Sequence, residues 1–109
     1  MNLRGFKNWK LKLRHGRVRT DFHHYTLLAD GEVVSPNAEY GTADAGPAFF
    51  GMSVWAYNSD QATDMIRTIG LHVGFACTGK IYVYDTEAEE PPGAEPRGYN
   101  LKFTRYERD

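Results

Sequence analysis

Cysteine is almost missing. Cys77 stands alone among 109 residues, which excludes an intramolecular disulfide framework and any zinc or iron–sulfur site built on several thiolates. Long apolar runs are missing too, so the chain lacks the roughly 20 consecutive apolar residues that a membrane-spanning helix needs. Residues 1–20 hold seven Arg or Lys with isolated apolar residues between them, and a signal peptide needs an apolar run of about 7–15 residues. There is no G-x-x-x-x-G-K-[ST] phosphate loop, no G-x-G-x-x-G, no H-E-x-x-H and no G-x-S-x-G. The expectation is a cytoplasmic chain without membrane partner, metal or cofactor, and not an enzyme. One free thiol fits a reducing compartment.

What is present is the composition of a globular protein. Hydrophobic residues make up 41% and charged residues 25%, with a mean hydropathy of −0.56, which excludes a wholly disordered chain or a collagen-like fibre. The length suits a single domain over residues 1–109.

The net charge of −1 hides an asymmetry. Arg4, Lys7, Lys10, Lys12, Arg14, Arg17 and Arg19 give residues 1–20 a charge of +7, with no acid. The remaining residues carry six bases and fourteen acids, −8 in sum. Asp85, Glu87, Glu89, Glu90 and Glu95 concentrate in a stretch without a base. Such a split suggests a face for anionic partners, two parts that neutralise each other, or simply a solvated surface.

Residues 9–14 alternate, with Trp9, Leu11 and Leu13 on one side and Lys10, Lys12 and Arg14 on the other. That pattern predicts a half-buried strand. His15-Gly16 suits a tight turn, so a second strand from Arg17 forms a basic hairpin over 8–29, with a bulge expected near His23-His24. Opposed like charges in it, Arg14 with Arg17 and Lys12 with Arg19, disfavour the sheet unless an anion, the acidic loop or solvent offsets them. Exposed lysines on an edge also discourage aggregation without any ligand. Asp30-Gly31 predicts a hairpin turn into a short third strand, Glu32–Val34. Residues 35–47 show no periodicity and read as a long loop, in which Tyr40, Thr42 and Asp44 carry useful chemistry.

Residues 49–57 are apolar on both sides, the mark of a central strand. A helix over about 59–73 follows from Ala62, Met65, Ile66, Ile69 and Val73 at helical spacing, with Asn58, Ser59 or Asp60 as N-cap and Gly74 as the left-handed residue after its end. Gly70 either allows close packing or ends the helix early. Strands follow at 80–86 and 99–106, the second with Leu101 and Phe103 on its core side, separated by an acidic, Pro-rich loop over 85–98 that reads as solvated.

The predicted fold is α+β: a mainly antiparallel sheet of about six strands in the order β-β-β-β-α-β-β, with one helix on one face of a curled sheet. The last strand is expected beside the fifth, or between it and the fourth. Six strands at about 4.8 Å spacing span roughly 29 Å, and a helix about 10 Å wide cannot cover them. Trp55, Tyr57, Tyr82 and Tyr84, with Tyr106 a further candidate, fall on the side away from the helix. An exposed aromatic patch of that size marks an interaction site. It can be covered by curling the sheet so that Trp9, Leu11, Leu13 and Phe22 lie over it, by two copies packing face to face as a homodimer, or by a bound partner.

No side-chain constellation stands out as catalytic. His23 and His24 are adjacent on a strand and point to opposite faces, and Cys77 with His72 lacks an established nucleophile–base contact. Glu89 and Glu90 sit in a loop that does not position them for acid–base work. Three classes remain. The first is a protein-binding module, such as an inhibitor or immunity-type protein, using Tyr40, Asp44, Trp55, Tyr57, Tyr82, Tyr84, Glu87, Glu89 and Glu90 with the basic hairpin, because Tyr, Trp and Arg dominate interface energetics. Its acidic loop suits a basic cleft, by mimicry of nucleic acid. The alternative is a nucleic-acid binder working through Lys10, Lys12, Arg14, Arg17, Arg19 and the aromatic strands. The third is an enzyme with an unrecognised site in the 35–47 loop. The passage from Asp60 to Gly98-Tyr99-Asn100 has the texture of small bacterial domains, a likeness that assigns no activity and no residue role.

Overall fold

A computed structural model of the chain describes residues 20–106. Their order is β1 (His23–Val33), a 3-10 turn (Ala38–Tyr40), β2 (Gly46–Ala56), α1 (Ser59–His72), β3 (Phe75–Asp85) and β4 (Arg97–Arg105). The four strands form one antiparallel sheet in the order β3-β1-β2-β4. β2 and β3 both run antiparallel to β1, so β2-α1-β3 is a crossover between parallel strands with β1 between them. The α+β class is as expected, but the described sheet has four strands, not six, and the last strand pairs with β2 at the far edge rather than beside β3.

Two reasons account for the count. The predicted strand at 9–14, the His15-Gly16 turn and the basic side chains Lys10, Lys12, Arg14, Arg17 and Arg19 lie outside the described residues. Asp30-Gly31 is not a turn: β1 runs through it without a break and pairs with β2 residue by residue from His23↔Ala56 to Val33↔Gly46. That continuous register also leaves no bulge at His23-His24. Gly31 serves close packing, since a Cβ there would run into the Ala76 carbonyl and stand 2.7 Å from Cζ of Phe75.

The helix begins as its sequence dictates. The Asn58 side chain accepts the Gln61 N–H at 2.8 Å, and the Gln61 amide oxygen accepts the Tyr57 N–H at 2.7 Å, so orphan donors at both sides of the cap are satisfied. Gly74, with φ of +91°, follows the last turn. Gly70 stays inside the helix, where a Cβ would meet the Phe75 ring and carbonyl at 3.3 Å. The absence of that carbon lets α1 lie close over β3.

The main core is the space between α1 and one sheet face. Leu27 and Val33 of β1, Phe50, Met52 and Val54 of β2, Phe75 of β3 and Ile66 of α1 are fully buried there. Phe50 stacks on Phe103 of β4 with ring centroids 4.7 Å apart. Burying a large apolar side chain contributes about 1.5–3 kcal/mol, so this layer holds the sheet and helix together.

Candidate functional site

Among the described residues the second sheet face carries no helix, and strand alternation decides what it displays. β1 presents His24, Thr26, Leu28 and Asp30, and β2 presents Phe49, Gly51, Ser53 and Trp55. β3 presents Tyr82 and Tyr84 opposite Leu28 and Thr26. On β4 the alternation changes phase. A register shift against Gly51/Ser53 and a left-handed Asn100, φ 55°, put Tyr99 on this face while Leu101 and Phe103 stay with the main core. Asn is among the few residues that adopt that conformation at small cost.

One end of this face is closed by the 86–96 segment, which was expected to be solvated. It lies across the strands and buries a second, smaller core of Trp55, Ala88 and Tyr99, with Phe22 packed against it. The strongest ties are polar. Nε1–H of Trp55 donates to the Glu90 carbonyl at 2.8 Å. The Tyr99 hydroxyl accepts the N–H groups of Glu89 at 3.0 Å and Glu90 at 3.3 Å. It also lies 2.6 Å from Nε2 of His24. Nδ1 of His24 faces the Thr86 carbonyl at 3.0 Å and the Thr86 hydroxyl at 3.1 Å.

One assignment of protons satisfies every partner of the ring. A carbonyl only accepts, so Nδ1 carries hydrogen and donates to Thr86. In the neutral ring Nε2 is then an acceptor, and the Tyr99 hydroxyl donates to it. Burial lowers the pKa of His24 below its ordinary value of 6.5, against opposing pulls from its hydrogen bond to the Thr86 backbone and from the Glu89 carboxylate.

Two acidic side chains of the segment, Glu89 and Glu90, are engaged within the chain. Arg97 donates to Glu90 at 2.7 Å and to the Pro91 carbonyl at 3.3 Å, with its guanidinium 5.3 Å from the Tyr99 ring centre. Asn100 donates to Glu89 at 2.9 Å. Glu87 is exposed.

At the other end Tyr106 packs on Phe49, with centroids 4.8 Å apart, and its hydroxyl donates to Asp30. Between the two ends no element of the described residues covers the face. Tyr82 is 42% and Tyr84 52% exposed, beside the half-buried Leu28 and Thr26. The aromatics predicted to share a surface are thereby divided. Trp55 is buried under the 86–96 segment, Tyr82 and Tyr84 stay exposed, and Tyr57, past the end of β2 and itself exposed, packs at a tilt against Phe22 with ring centroids 4.8 Å apart.

The 34–45 loop lies elsewhere. Thr42 is buried and braces it, accepting the Asn37 N–H at 2.6 Å and donating to the Asn37 carbonyl at 3.1 Å. Tyr40 and Asp44 are exposed, and the carbonyls of Asp44 and Ala45 accept Arg105 at 2.9 and 3.2 Å. The Cys77 thiol is pushed up by burial, with Arg67 pulling the other way. Among the described residues no three His, Cys, Asp or Glu side chains are grouped to hold a metal ion, and no helix is long and apolar enough to cross a membrane.

His24, Thr86, Ala88, Tyr99 and Asn100 are the residues that sequence reading missed. The signal for Tyr99 was Asn100, whose tolerance of positive φ marks the point where the strand changes phase. No protein-family model, curated protein or solved structure matches the chain.

Proposed function

We propose that this protein is a binding module for another protein, and that its contact surface is the open part of the helix-free sheet face centred on Tyr82 and Tyr84. The observation that carries the reading is the exposure of those two tyrosines, side by side on one strand, next to Leu28 and Thr26 on a face without a helix. Tyrosine supplies large apolar contact area with a polar tip and is enriched at interfaces. The acidic 86–96 segment borders this surface, and Glu87 within it is exposed. A partner with basic residues around an apolar centre fits that charge, and the same acids repel the phosphates of a nucleic acid. This ranks a protein ligand, of the kind an inhibitor or immunity-type protein would cap, above RNA or DNA.

The test is recovery of partners from the native host with the tagged full chain and with a Tyr82→Ser/Tyr84→Ser variant, each with and without nuclease. The reading expects a stoichiometric protein that survives nuclease and is lost with the double variant. A protein recovered equally by both chains, recovery that nuclease abolishes, or no stoichiometric protein at all would overturn it.

A further inference from the structure

The hydrogen bonds around Tyr99 leave no spare capacity. A phenol has one hydrogen to give and two lone pairs to accept with. The Tyr99 hydroxyl gives its hydrogen to Nε2 of His24 at 2.6 Å and accepts the N–H groups of Glu89 and Glu90 at 3.0 and 3.3 Å. Nδ1–H of His24 is already engaged with Thr86. A proton arriving on the ring therefore goes to Nε2, the atom that faces Tyr99.

We propose that the 86–96 segment is a proton-sensitive clasp, closed over Trp55 and Tyr99 while His24 is neutral and loosened when Nε2 of His24 is protonated. In the imidazolium form Nε2–H and the two backbone N–H groups all point at one oxygen that can accept two of them. The hydroxyl hydrogen loses the acceptor it had. The longest contact, Glu90 N–H at 3.3 Å, is the first to give way. Glu90 also supplies the carbonyl that Trp55 donates to, so its release frees the indole as well. The clasp thus couples one titration to the exposure of a buried tryptophan.

The charged neighbours set the balance. The charged groups at this end are Glu87, Glu89 and Glu90 of the segment and Arg97 of β4, which is paired with Glu90, while Asp85 at the end of β3 falls on the opposite face with Tyr25. Glu89 is the carboxylate that acts on His24. β2 contributes only the uncharged Trp55 at this point, with its ring 5.0 Å from that of His24. His23 is turned to the opposite face beside Tyr25, and Asp21 precedes the strand.

Backbone and indole hydrogen exchange in the full chain tests this, read by NMR at about pH 7.5 and about pH 5, either side of the ordinary histidine range. After correction for the intrinsic pH dependence of exchange, protection at Glu89, Glu90 and the Trp55 indole should fall about tenfold at the lower pH while these sites still open locally, at a lower free energy than the core amides of Leu27 and Val54, whose protection follows global stability. His24→Gln removes the titration and should abolish this difference. In the unsubstituted chain, loop resonances that shift together with the His24 ring signals carry the same prediction if the variant does not fold. Equal protection at both pH values would overturn the proposal. So would a drop that His24→Gln leaves intact, or loop shifts that follow a carboxylate titration instead of His24.

Discussion

Gly31 of β1 faces the Ala76 carbonyl of β3, and a side chain of even one carbon has no room between them. The position lies on the core face, where the Phe75 ring occupies the space that a Cβ would take, 2.7 Å from its Cζ. Backbone cannot yield as a flexible side chain can. Gly31→Ala should therefore destabilise by about 1–3 kcal/mol or more through overpacking, despite the usual gain from replacing glycine. Urea unfolding with the slope held fixed measures it, and a variant as stable as the parent would mean that β1 and β3 separate more easily than this packing implies.

Tyr99→Phe keeps the ring and removes the oxygen. The N–H groups of Glu89 and Glu90 lose their acceptor, and Nε2 of His24 loses its donor, in a region where Tyr99 is 6% exposed. Unsatisfied buried groups cost about 1–3 kcal/mol each, and solvent entering beneath a loosened loop reduces that. A loss of about 1–3 kcal/mol in urea unfolding is expected. Limited proteolysis should cut the 86–96 segment sooner than in the parent. The Arg97–Glu90 ion pair is half exposed and should not compensate, since such pairs contribute about 0–1 kcal/mol.

These two sites show where sequence reading reached and where it stopped. The helix was legible because its apolar residues, Asn58 cap and Gly74 terminator agree with one another. Strand alternation put Trp55, Tyr82 and Tyr84 on the side away from the helix, and the structure puts them there. Asp30-Gly31 misled because the same dipeptide suits a tight turn and a strand that needs an absent Cβ, and only the neighbouring Ala76 and Phe75 decide between them. The closure by 86–96 was illegible for a related reason. Its composition is that of a solvated loop, and what holds it is backbone, the N–H groups of Glu89 and Glu90 and the Glu90 carbonyl, which composition does not report.

Ile66 sits on the buried side of α1, fully enclosed, while Leu71 on the same helix is 68% exposed. Truncating each to alanine separates packing from propensity. Ile66→Ala should cost about 2–5 kcal/mol, from lost transfer energy and the cavity left against the sheet. Leu71→Ala should stay within about 0.5 kcal/mol, as surface changes do. Thermal or urea unfolding of the pair reads this directly, and similar losses for both would mean that α1 is not docked by the face described.

His24 also gives the global stability a pH dependence of definite sign. Its pKa in the fold is lowered from 6.5 because burial disfavours the charged ring. Above that value both folded and unfolded chains carry the neutral form, and the group has no effect. As the pH falls through 6.5 the unfolded chain takes up a proton that the fold resists, so stability declines with acid until the folded pKa is reached. His24→Gln removes this contribution and should flatten the fall in urea midpoint between about pH 7 and about pH 5, where histidine is the side chain that ordinarily titrates. His23, His15 and His72 remain in that variant as internal controls. An unchanged slope would assign the acid sensitivity to one of them or to the carboxylates, and would mean that the ring of His24 is hydrated well enough to charge in place.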